Sequence, residues 1–165
     1  MHVKSIFFLI LVLLGAGLFS APARANEDVV KVLRLYVKAL EWGTASQGHP
    51  FYTPGTANMM QRRKVSKTIM KLEAQTIRSC ESMLPIVKEQ RAVIVFPYGN
   101  PDTCNPYFFV NNKPQEKKGQ ESKDLWQLDL ETMMHVIKYD SNNHWRIDDT
   151  VENPYKFAFE PEQLK

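Results

Sequence analysis

Glycine is scarce in this chain, with seven in 165 residues. No stretch reads G-x-x-x-x-G-K-[ST] or G-x-G-x-x-G, so the backbone cradles that hold nucleotide phosphates are excluded. Histidine is scarcer still: His2, His49, His135 and His144. None pairs as H-x-x-x-H or H-E-x-x-H, the spacings that put two imidazoles on one helix face for a metal. A site gathered in space from His135, His144 and Asp148 has no such spacing behind it, and no metal or cofactor is expected. The G-x-S-x-G elbow of a serine hydrolase is missing too. Charge of one sign is not in excess. Lys and Arg number 21 against 18 Asp and Glu, a net +3. Setting Lys4 and Arg24 aside leaves nineteen basic residues against eighteen acidic ones. That balance argues against a nucleic-acid binder. No internal period marks a repeat solenoid, and after Phe19 no apolar run reaches the length that spans a bilayer.

The N-terminus holds the one long apolar run. Lys4 is followed by Ile6 to Leu14 and then by Ala23-Arg24-Ala25. A short positive end, an apolar core and an Ala-x-Ala site are the parts of a secretory signal. Residues 1–25 are therefore expected to be removed, leaving one domain over 26–165 that is periplasmic or secreted, with no membrane span. Cysteine use fits that compartment. Cys80 and Cys104 are the only two, and an even pair in an oxidising space is expected to form a disulfide.

The mature chain opens with Val29, Val32, Leu33, Tyr36, Val37 and Leu40. That spacing predicts an amphipathic helix, capped at Asn26 or Asp28 and stopped at Gly43. Thr53-Pro54 starts a second helix, Thr as cap and Pro in the first turn, running to about Leu72. Arg91 to Phe96 and Tyr107 to Val110 read as short strands. From Trp126 to Val136 apolar and polar residues alternate, which predicts one long half-buried strand. Ser141-Asn142-Asn143 turns it back through His144-Trp145-Arg146-Ile147-Asp148 as a hairpin. A further short strand is expected at 156–159. Helices first and antiparallel strands after predict an α+β fold, N-terminal helices on one face of a curved sheet.

The Val29 to Leu40 stripe and the terminal hairpin from Leu125 to Asp148 carry a resemblance. In that order of elements the chain resembles the NTF2-like (SnoaL-like, cone-shaped) superfamily. The resemblance implies a cone whose mouth can hold a ligand, and members include isomerases, dehydratases and protein-binding modules. Fold does not choose among them.

Three sets of residues are candidates for chemistry. Asp129, Glu131 and His135, with Tyr139 near the strand end, place a carboxylate and a phenol where an apolar cone would raise the acid's pKa for proton abstraction. Arg62, Arg63 and Lys64 with Lys67 and Lys71 make a basic patch. Arg63, Lys67 and Lys71 fall at i, i+4 and i+8, one face of a helix that suits an acidic partner. The tail acids Glu152, Glu160 and Glu162 are its intramolecular alternative. Tyr98, Tyr107, Phe108 and Phe109, bracketed by Pro97, Pro101 and Pro106, offer rigid contact area if Cys104 anchors the loop. The leading expectation is an exported non-enzymatic domain that binds a protein partner, as an immunity or accessory protein does, or a small apolar ligand. A proton-shuttling isomerase or dehydratase, and a component of an envelope secretion machine, are the alternatives.

Overall fold

The apolar stripe that begins at Val29 forms the expected helix. In the computed structural model, which describes residues 20–100, 103–112, 125–142 and 144–160, the first helix, α1, runs Ser20–Glu41. Val29, Leu33, Tyr36, Val37 and Leu40 are buried on one side of it. The helix begins earlier than its sequence suggests, so Asn26 and Asp28 lie inside it and do not cap it. Its stop is the expected one. Gly43 has φ +67°, and Thr44 donates its N–H to the Ala39 carbonyl at 2.8 Å, which satisfies an otherwise orphaned helix end. Cleavage after Ala25 would leave this buried face whole. Most of the expected signal, residues 1–19, lies outside the described residues. No described helix is long and apolar enough to cross a membrane.

The single second helix is corrected to two. Thr53 caps α2 (Pro54–Arg62) as expected, accepting the Thr56 N–H at 3.1 Å. Arg63 is already extended, at ψ 110°. Ser66 then caps a separate helix, α3 (Lys67–Ser79), accepting from Ile69 at 3.3 Å. Residues 61–64 are exposed throughout, so helix continued across them would bury nothing, and a fresh cap at Ser66 restarts the coil. Arg63, Lys67 and Lys71 therefore do not share one helix face.

Four antiparallel strands follow in sheet order: β1 (Leu84–Lys88), β2 (Arg91–Val95), β3 (Tyr107–Asn111) and β4 (Trp126–Leu128). Tyr52 adds a parallel bridge to Leu128 at the edge. Both faces of the sheet are covered. Ala92 and Ile94 of β2, with Tyr107 and Phe109 of β3, belong to the core shared with α1 and α3. Val93, Val95 and Phe108 belong to a second core with Val136, Ile137, Tyr155 and Ala158. A strand buried on both faces reads as a continuous apolar run, which is how Ala92 to Val95 reads.

The largest correction follows Leu128. The predicted long strand stops there, and Leu130–Val136 form a helix, α4. Asp129 caps it, Oδ1 accepting the Thr132 N–H at 3.2 Å. Leu130, Met133 and Ile137 fall at a three- and four-residue spacing, and Met133, on the polar side of the alternating pattern, packs against the core instead. The terminal hairpin shrinks to β5 (Ile137–Tyr139) and β6 (Trp145–Ile147). The tail forms a 3₁₀ turn over Lys156–Phe159 instead of a strand, and Tyr155 beside it stacks on Phe108 at 4.4 Å between centroids. The disulfide forms as expected: Cys80, just past α3, joins Cys104 in the loop before β3, with Cα atoms 5.6 Å apart.

Candidate functional site

Tyr36 lies in the middle of the apolar stripe of α1 and is fully buried. A buried phenol must find a polar partner. It finds one on α3, donating its proton to Glu73 Oε1 at 2.6 Å. These two residues form one wall of a cleft of about 330 Å³. Tyr107 of β3, Leu130, Met133 and Met134 of α4, Ile77 of α3 and Tyr139 of β5 line it further, and Arg63 reaches it from the α2–α3 break. Tyr107 stands 6.2 Å from Tyr36, ring to ring, with the planes tilted by 55°.

The cleft keeps its phenols neutral. Burial first, and then the Glu73 carboxylate, push Tyr36 well above the ordinary value of 10. Burial followed by Glu73 and Tyr139 does the same to Tyr107. Tyr139 is half-exposed and is raised mainly by burial, against a hydrogen bond from Asn105 that works the other way. In that bond Asn105 Nδ2 donates to Tyr139 Oη at 2.6 Å. Asn105 also lines the cleft. Its Oδ1 is buried with no partner among the described residues. A buried acceptor left unpaired is costly, on the order of 1–3 kcal/mol.

Of the residues singled out from sequence, Arg63, Tyr107 and Tyr139 meet in this cleft. The others go elsewhere. Asp129 has both oxygens engaged: Oδ1 caps α4 and Oδ2 accepts the Tyr155 hydroxyl at 2.9 Å. That is the work of a positioned structural acid, and Asp129 does not line the cleft. His135 is exposed in the last turn of α4. Glu131 stands over Gly55 and shares a separate hollow with Arg62 and Arg63. The Lys67 stem packs on Gly43, where a Cβ would come within 2.7 Å of it. Tyr98 is 82% exposed. Its neighbours Pro97 and Gly99 line an apolar hollow of about 270 Å³ with Phe96, Trp145 and Phe159. Tyr107 and Phe108 are buried core residues instead of a presented surface.

Tyr36, Glu73 and Asn105 were not singled out from sequence. The one available signal was a phenol inside an otherwise aliphatic stripe, which demands an acceptor from somewhere. Comparison of the chain with protein-family models, with curated proteins and with solved structures finds no match.

Proposed function

We propose that this is an exported binding domain whose cleft takes a small ligand with an apolar or aromatic body and an amine head. One observation carries the reading. The cleft presents one carboxylate, Glu73, beside Tyr36, Tyr107 and Tyr139, and Asn105, whose Oδ1 is enclosed without a partner among the described residues, lines it as well. A cation that donates hydrogen bonds satisfies the carboxylate, and of the three phenols Tyr139, half-exposed, is the one a ligand can reach. Arg63 is exposed to solvent, where water and salt screen its opposing charge. Binding is favoured over proton abstraction because the carboxylate nominated as a base, Asp129, is held as a helix cap. The NTF2-like reading keeps an amphipathic first helix over an antiparallel sheet and gives up the long terminal hairpin. A second reading, a protein partner gripped at the Pro97–Pro106 loop, is favoured by the exposure of Tyr98 beside an apolar hollow.

The test titrates the mature domain with phenethylamine and with phenylacetate, following the methyl NMR signals of Met133 and Met134. The amine is expected to saturate and the acid to leave the signals unmoved, with Glu73→Gln weakening the amine about tenfold. Equal response to both compounds, or undiminished amine binding by a folded Glu73→Gln variant, would sink the reading.

A further inference from the structure

At the opposite end of the sheet from any residue of that cleft, Lys88 and Arg91 face each other across the β1–β2 turn as a registered pair. Like charges set directly opposite on two strands repel. The fold nevertheless holds both side chains over ring faces. Lys88 Nζ lies 5.8 Å from the Phe157 ring centre, and Arg91 Cζ lies 5.9 Å from that of Tyr155. Lys156, from the C-terminal 3₁₀ turn, lines the same open hollow of about 260 Å³.

Asn153 lines it as well. The orientation of its amide is fixed by the network, because Oδ1 accepts the Tyr155 N–H at 2.9 Å. Nδ2 is left buried and without an acceptor among the described residues. Three cations thus border one cavity, and Asn153, with its Nδ2 enclosed, lies beside them. Glu89 and Glu160 border it too and oppose an anion without cancelling the cations.

We propose that this hollow binds a tetrahedral oxyanion of the phosphate class. Such a group answers the repulsion between Lys88 and Arg91, pairs with Lys156 from the facing turn, and matches the planar donor fork of arginine. The site is independent of the cleft, and Glu73→Gln is expected to leave it unchanged.

Calorimetric titration of the mature domain with inorganic phosphate in dilute chloride buffer tests this. Saturable binding that weakens with added salt is expected. Arg91→Gln and Lys156→Gln should each weaken it about tenfold, and Glu160→Gln should tighten it, the opposite signs marking an anion site. Lys156 is exposed, so its variant serves even if Arg91→Gln fails to fold. No saturable binding, or unchanged affinity in a folded Lys156→Gln variant, would overturn the proposal. Two further arms locate the source of the phosphate. Sedimentation with phosphatidylglycerol–phosphatidylcholine vesicles, but not with pure phosphatidylcholine vesicles, assigns a lipid headgroup. Phosphate binding without sedimentation assigns a free phosphate or phosphate ester.

Discussion

The Thr56 hydroxyl accepts the backbone N–H of Leu130 at 2.9 Å, joining the first turn of α2 to the first turn of α4 across 74 positions of sequence. Thr56 is completely buried, and no water can replace it. Thr56→Val keeps the shape and removes the acceptor, stranding a helix-end N–H. A loss of about 1–3 kcal/mol is expected, measured by urea unfolding. If amide exchange at Leu130 speeds up along with it, the loss belongs to this bond and not to general repacking.

That bond also explains what the sequence could and could not convey. The α1 stripe, the Gly43 stop and the Thr53-Pro54 start are local patterns, decided by neighbours within a turn, and they were legible. The fate of Trp126 to Val136 is decided from outside. Alternation and helical spacing fit those residues almost equally, and the caps at Asp129 and from the distant Thr56 tip the balance toward helix. The cleft was hidden for the same reason. Tyr36 and Glu73 are 37 positions apart, and Glu73 lay in a stretch with no clear period.

Tyr36, Tyr52, Tyr107, Tyr139 and Tyr155 all have phenols raised above the ordinary 10, in each case chiefly by burial. Below pH 10 the folded and unfolded chains both keep these protons, so the groups cost nothing. Above it the unfolded chain ionises while the folded one does not, and stability falls as pH climbs. Alkaline titration should therefore show tyrosinate absorbance rising together with loss of helical circular dichroism. Ionisation of these phenols in a chain that stays folded just above pH 10 would contradict the packing described.

Asp129 and Tyr155 should act as one unit. Asp129→Ala removes the α4 cap and orphans the Tyr155 hydroxyl, at a cost of about 2 kcal/mol. Tyr155→Phe alone removes only the bond to Oδ2. A double-mutant cycle should return a coupling of about 1 kcal/mol. A catalytic role for Asp129 predicts instead a variant that is inactive but fully stable, so the unfolding midpoints separate the two accounts.

The disulfide closes a loop with a sequence separation of 24. Replacing both cysteines by alanine should lower stability by about 3 kcal/mol, mainly by freeing the unfolded chain. The same shift is expected on reduction of the native chain, read as a lower urea midpoint. A midpoint unmoved by reductant would mean that the bond is absent from the folded protein.

Gly99 depends on that bond. A Cβ placed there would lie 2.7 Å from both Cβ and Sγ of Cys104, well inside van der Waals contact. A flexible side chain would swing clear, but Cys104 is tied to Cys80 and its sulfur cannot rotate away. Gly99→Ala should therefore cost about 1–3 kcal/mol through overpacking. The cause is separable from any general intolerance of the Pro97–Pro106 loop. In a Cys80→Ala background the Cys104 sulfur is free to turn, and the contacts to Cβ of Cys104 and, at 3.1 Å, Cβ of Phe96 remain. The penalty for Gly99→Ala should then shrink by about half in urea unfolding, a non-additivity that residues in direct contact are expected to show. Equal penalties in the two backgrounds would place the strain in the backbone of the loop instead of at the sulfur.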